Sequence, residues 1–374
     1  MRAAILREYG VLPQIEEVDI REPQSNEVLV RIAASGICAT DLHVLKGIYK
    51  VGDALPIILG HEGAGVIEAV GPGVTDLKRG DHVVIAMGSP CGRCEYCGEG
   101  RMQFCNGNPP KSTYGEMDDG TYRLSKNGGP VHSFVGIGSL GEYAVLRRRK
   151  VFKLDPDAPF DSMCLISCGV TTGLGAVFNA AQVTPGSSVL VFGCGGIGLS
   201  IIQGAKIAGA ATIIAVDNNA GKLDLASNFG ASNCILSPPD PADLAAETRK
   251  IVPRGVNFAF DAVGTRIERI HQLMALTDLG GLTVAVGVLP FSDRVPVLAS
   301  DLLYGARRLT GVRGGNGAPG LDIPRILNLY RTKRLMLDEL VGDSYELEEI
   351  GAAFDAAARA EHARTVVRVT PSLL

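Results

Sequence analysis

Ser188-Val-Leu-Val-Phe192 runs directly into Gly193-Cys-Gly-Gly-Ile-Gly198, and an apolar run opens at Leu199. The first segment is the continuous apolar pattern of a strand buried on both faces, and the last reads as the start of a helix. The glycines between them have separate tasks. Gly193 permits a tight turn, Gly195 lets the backbone approach a pyrophosphate, and Gly198 allows close packing of helix on strand. Gly196 and Ile197 complete a turn whose helix N-terminus offers unpaired N–H groups to phosphate. A second strand, Thr212 to Val216, ends at Asp217, near the spacing of about 20 residues expected of an acidic residue on a ribose. A carboxylate there accepts ribose hydroxyls and repels a 2′-phosphate. Asn218 and Asn219 follow with no arginine to receive that phosphate, and helix-borne Lys222 is placed to add a ribose contact. The expected cofactor is NAD.

Working outward, strand and helix patterns alternate from about Ser162: helix-like Ile197 to Ala208 and Gly221 to Phe229, strand-like Phe258 to Asp261 and Thr283 to Val286. Such alternation predicts parallel β-α-β units with right-handed crossovers, an α/β doubly wound sheet. The N-terminal half is instead β-rich. Short apolar runs such as Val28 to Ile32 and Val83 to Ala86 are bounded by turn signals, Pro23-Gln24-Ser25-Asn26 and Lys78-Arg79-Gly80-Asp81 among them. From about Arg313 the texture is mixed again, with Ile323 to Leu329 helical and Thr365 to Val369 a strand.

The chain has 374 residues, is 46% hydrophobic and carries a formal charge of −4, so it can bury a large core and shows no electrostatic footprint for nucleic acid. No leader pattern and no apolar stretch of bilayer length is read, so a cytoplasmic protein with no membrane partner is expected. The one basic cluster, Arg147-Arg148-Arg149-Lys150, reads as a solvated strand end.

In a reducing compartment nine cysteines point to metal binding or catalysis before disulfides. Cys91-Gly-Arg-Cys94-Glu-Tyr-Cys97 followed by Cys105 places four thiols in one Gly-rich loop, the pattern of a closed tetrahedral structural zinc site. Cys38, in Gly36-Ile-Cys38-Ala-Thr40-Asp41-Leu-His43, and His61, in Gly60-His61-Glu62-Gly63-Ala-Gly65, would on residue type alone suggest only a Cys/His pair short of a third ligand. Cys168 is able to supply it, leaving one position open, as a catalytic zinc needs.

These segments, with Thr171-Thr172-Gly173, the glycine turn and the tail Arg364-Thr-Val-Val-Arg-Val369, occur in the order found in the zinc-containing medium-chain alcohol dehydrogenases, which the chain resembles over nearly its whole length. The resemblance implies a GroES-like catalytic domain over 1–169 and 313–374, a Rossmann domain over 170–312, and an active site in the cleft. It implies two zinc ions per chain: a catalytic one on Cys38, His61 and Cys168, and a structural one on Cys91, Cys94, Cys97 and Cys105. Asp41 would support His61, Glu62 would lie behind the metal, Thr40 would hydrogen-bond the reacting oxygen, and His43 would end a proton relay. Cofactor contacts would come from Thr172, Val263, Val286, Val288 and Arg364. Met87, where liver-type enzymes carry Phe, would line the substrate pocket with Ile48 and Tyr49. Ala39 replaces a charged pyrophosphate contact of some relatives. Pro109 replaces the arginine by which glutathione-dependent formaldehyde dehydrogenases grip substrate. The expected activity is NAD-linked oxidation of apolar or aromatic primary alcohols by a homodimer or homotetramer. The alternatives are a formaldehyde dehydrogenase using another thiol adduct, and a non-catalytic protein on the same fold.

Overall fold

In the computed structural model, which describes residues 1–289 and 293–374, Ser188–Phe192 is the first of six parallel strands. The others are Thr212–Asp217, Asn233–Leu236, Val256–Asp261, Thr277–Ala285 and Arg308–Gly311. Taken in chain order they lie third, second, first, fourth, fifth, sixth across the sheet, so the winding reverses beside Ser188–Phe192. In such sheets a ligand crevice forms outside the carboxyl ends of the strands at the reversal. Leu190, Ile214, Val256 and Ala259 are wholly buried in the core of this unit, as expected of strands covered on both faces.

The second compact unit comprises Met1–Cys168, Ala318–Thr332 and Leu337–Leu374, and the parallel-sheet unit takes Gly169–Gly317 and Lys333–Met336. The expected return at 313 is therefore late by five residues. Val312 N–H still pairs with the Ala285 carbonyl, and Asn179 donates to the Gly315 carbonyl, which keeps this segment on the parallel-sheet unit. Gln203 likewise exchanges hydrogen bonds of 2.8 and 2.9 Å with the Met336 backbone and retains 333–336.

In the unit formed by both chain ends, Glu27–Ile37 is the hub. It pairs with Glu62–Val70, Tyr143–Arg147 and the C-terminal strand Arg364–Arg368. The registers set Gly36 opposite both Glu62 and Val366. The helix Ile350–Arg359 closes the core with Ile350, Ala353 and Phe354 against Val367. No single helix among the described residues is long and apolar enough to cross a membrane.

The basic run is not a solvated end. Arg147 and Lys150 are each 3% exposed. Arg147 pairs with Asp118, Arg148 with Asp76, and Arg149 with Asp118, while Lys150 donates to backbone carbonyls. Surrounding loops, remote in sequence, supply the partners that make burial affordable.

Candidate active site

Cys38 follows the hub strand and caps the helix Ala39–Leu45, His61 precedes the strand Glu62–Val70, and Cys168 follows the turn Cys164–Ser167. One ligand atom from each of Cys38, His61, Glu62 and Cys168 lies within 4.8 Å of the others, and all four residues are buried. Asp41 organises this cluster. Its carboxylate accepts the N–H of Cys38 and of Gly60, each at 3.0 Å, and lies 3.3 Å from His61 Nδ1. A His61 Nδ1–H donating to that oxygen leaves Nε2 as the free lone pair.

Two thiols in contact cannot ionise together. A hydrogen bond from Cys168, helped by His61, holds Cys38 well below the usual thiol range, and the same contact with burial pushes Cys168 well above it. Burial opposes charge on His61, yet Asp41 raises its pKa well above the ordinary value. Burial pushes Glu62 up to about 7 against the pull of Arg364. Two thiols, an imidazole and a carboxylate form a donor set that a dication suits, because it stabilises both thiolates and a neutral imidazole at once.

The resemblance implies a cofactor contact for Arg364; within its own unit, pairing of its strand beside Gly36 puts the buried guanidinium on the Glu62 carboxylate. Its Nε has no partner among the described residues.

Thr40 and His43 lie on one face of the helix Ala39–Leu45, three residues apart. Thr40 Oγ1 is 3.6 Å from Cys38 Sγ. His43 Nδ1 is buried without a partner among the described residues, and burial lowers the His43 pKa. Of the expected pocket residues, Met87 and Tyr49 are half-buried, and Ile48 is 61% exposed. Sequence reading missed Phe134. Its ring stands edge-on to His61 at 5.5 Å and to Tyr49 at 6.2 Å, an aromatic wall beside the cluster. A lone Phe between His132-Ser133 and Val135 carries no signal that could have found it.

Cys91, Cys94, Cys97 and Cys105 also converge within 4.8 Å. Cys94 Sγ lies 3.8 Å from Cys105 Sγ, which matches the edge of roughly 3.8 Å of a tetrahedron with zinc–sulfur bonds of about 2.3 Å. Backbone N–H groups turn inward: Cys91 N–H donates to Cys105 Sγ at 3.2 Å and Cys94 N–H to Cys91 Sγ at 3.3 Å. N–H groups of Cys97 and Asn106 hold Cys94 down to about 6, whereas burial pushes Cys97 up to about 12. Closure by four thiols suits a structural zinc ion.

In the parallel-sheet unit Gly193 is in the left-handed region at φ 94°, and a side chain there would strike Val263. A Cβ on Gly198 would collide with the Gly193 carbonyl, whereas one on Gly195, which caps the helix Gly196–Ile207, would meet open space. That open cradle fits a pyrophosphate. Asp217 is buried at its strand end, accepting Cys194 N–H at 2.7 Å and Asn219 N–H at 2.9 Å. Lys222 lies in the first turn of the helix Ala220–Phe229. Thr172 and Val286 are buried and Val263 is half-buried, while Val288 is 38% exposed.

Residues 24–156 match the family described as alcohol dehydrogenase GroES-like domain, and residues 196–331 match zinc-binding dehydrogenase. Among solved structures, the chain is similar to an alcohol dehydrogenase zinc-binding domain protein from Burkholderia ambifaria, at 35% identity and TM-score 0.91 over 99% of this chain and 98% of that one. It is also similar to benzyl alcohol dehydrogenase from Acinetobacter calcoaceticus, at 34% identity and TM-score 0.91 over 99% of each chain. A zinc-binding dehydrogenase from Sinorhizobium meliloti 1021, bound to NADP, matches at 26% identity and TM-score 0.78, over 98% of this chain and 99% of that one.

Proposed function

The chain belongs to the zinc-containing medium-chain alcohol dehydrogenases, and from that premise we propose that it oxidises apolar or aromatic primary alcohols to aldehydes, reversibly, with NAD. The observation that carries the reading is the buried meeting of Cys38, His61 and Cys168, with the Glu62 carboxylate engaged by Arg364. That engagement leaves three ligands to hold a catalytic zinc and a fourth position for substrate. Zinc bound there supplies Lewis acidity that lowers the pKa of an alcohol hydroxyl, and the nicotinamide supplies the hydride acceptor. A second zinc on Cys91, Cys94, Cys97 and Cys105 would stiffen its loop.

The chain's own residues manage orientation and the proton. Asp41 keeps His61 in the tautomer that offers Nε2. Thr40 would accept the substrate's hydroxyl proton as its own hydroxyl proton passes onward, and His43, three residues along the same helix, would receive a proton for release to solvent. Its lowered pKa keeps the imidazole neutral near pH 7 and so ready to accept. Asp217 supports NAD, since a 2′-phosphate would meet a buried carboxylate. The aromatic wall of Phe134 and Tyr49, and the benzyl alcohol dehydrogenase among the relatives, support an apolar substrate.

The test is turnover of ethanol, longer aliphatic alcohols, benzyl alcohol and cinnamyl alcohol with NAD and with NADP. Formaldehyde is assayed with and without added thiols. Each buried CH2 should add about 0.8 kcal/mol, roughly fourfold in kcat/KM, until the pocket fills. Equal kcat/KM for NAD and NADP would refute the cofactor assignment, and a flat series from ethanol to benzyl alcohol the substrate class. Zinc retained with no alcohol oxidised would favour a binding protein on this fold.

A further inference from the structure

Lys150 is a buried cation outside both cysteine sets, and among the described residues no carboxylate pairs with it. Its Nζ donates to the Met87 carbonyl at 2.9 Å and to the Val135 carbonyl at 3.0 Å. Its own carbonyl accepts Ala86 N–H at 2.7 Å, so the side chain is registered directly beside Met87. Burial and the neighbouring Arg147 and Arg149 charges push its pKa down to about 7, and in either state the nitrogen keeps two hydrogens to give.

The two carbonyls belong to segments far apart in sequence. Met87 follows the strand His82–Ile85 and hydrogen-bonds through its N–H to the Ser167 carbonyl, next to Cys168. Val135 lies in the turn Phe134–Gly136 with φ 55° and ψ 22°, a left-handed conformation that a β-branched residue adopts only when its surroundings impose it. That turn sets the Phe134 ring edge-on to His61.

We propose that Lys150 is a positioning residue for the substrate wall: its amine ties the Met87 carbonyl to the Val135 carbonyl and so seats Phe134 against His61. The proposal rests on reading the Cys38–His61–Cys168 cluster as the alcohol site. Removing the amine while keeping the bulk, as in K150M, leaves the Met87 and Val135 carbonyls without this donor and releases the strained turn.

The chain has no tryptophan, so F134W provides a single emitter in the wall. In zinc-loaded F134W the emission should be blue-shifted and poorly quenched by acrylamide. Adding K150M should red-shift it and raise the quenching constant roughly threefold, with K150Q, which keeps two donor hydrogens, in between. With Phe134 restored, K150M should raise KM for benzyl alcohol about tenfold while kcat changes less than about twofold, as for lost binding with the chemistry intact. Unchanged quenching and unchanged KM in K150M would overturn the proposal. Should K150M melt below the assay temperature, K150Q decides: a raised KM at constant kcat supports the tie, and a parental KM refutes it. If K150M moves the tryptophan but the parent oxidises no alcohol, the tie between Lys150 and the wall stands and the alcohol reading fails.

Discussion

Asp41→Asn should cost the buried cluster its metal before it costs the protein its fold. The carboxylate is completely buried and receives three N–H groups: Cys38 and Gly60 from the backbone, His61 from its ring. An amide offers one oxygen and one NH2 in the same space. If the oxygen faces Gly60 and His61, the NH2 confronts the Cys38 N–H and leaves a buried donor unpaired, at about 1–3 kcal/mol. If it is flipped, the NH2 faces His61 Nδ1 and favours the tautomer with a proton on Nε2, the nitrogen needed for the metal. Neither orientation keeps all three contacts, and loss of an orienting partner commonly costs 10–100-fold in metal affinity. Chelator competition on the zinc-loaded protein should therefore show one tightly held zinc, on the four-cysteine loop, and one weakened by about 10–100-fold. Circular dichroism should show the fold retained. Parental affinity at both sites would refute the assignment of Asp41, and equal weakening at both would mean that the substitution acts through global stability.

Other expectations follow from the same geometry. Gly195→Ala should melt within about 1 kcal/mol of the parent yet bind NADH at least tenfold more weakly, because its Cβ enters only the cradle, whereas Gly198→Ala should lose stability through collision with the Gly193 carbonyl. Scanning calorimetry and fluorescence titration with NADH separate the two, and equal behaviour would contradict the division of labour. His43→Gln should slow alcohol oxidation most near neutral pH and less in alkaline buffer, where hydroxide replaces the relay; a loss independent of pH would make His43 a packing residue. Fresh protein should hold two zinc ions by elemental analysis. Cys94→Ala should lose one together with several degrees of Tm, and Cys168→Ala should lose the other together with turnover while still binding NADH.

Some of this was legible in the sequence because the information was local. The glycine turn, its flanking strands and the four-cysteine loop each lie within one short stretch, where spacing alone specifies which atoms can meet. Asp41 and Cys38 are three residues apart and share a helix N-terminus, so their hydrogen bond is set by one turn of backbone. The domain boundaries were read to within a few residues of the structural units. They slipped where the chain returns, because Gly315 is held by hydrogen bonding to Asn179, a pairing no local pattern announces.

What escaped sequence reading is long-range and polar. Lys150 and Arg147 look like a solvated run because charge patterning assigns a cation to water unless a partner is visible nearby, and their partners stand 15 to 63 residues away. Arg364 is the sharper case. Its partner, Glu62, is 302 residues distant, and only the pairing of the last strand beside Glu27–Ile37 brings the two together. The consequence reaches the chemistry. A buried carboxylate next to two thiols and an imidazole is a fourth ligand by geometry, and a cluster so closed would hold metal without room for substrate. Arg364 competes for that carboxylate, and the Cβ-free Gly36 leaves the space in which they meet. On the proposed reading, a position left open beside Cys38, His61 and Cys168 would be a property of the folded sheet, set by Arg364 on the last strand.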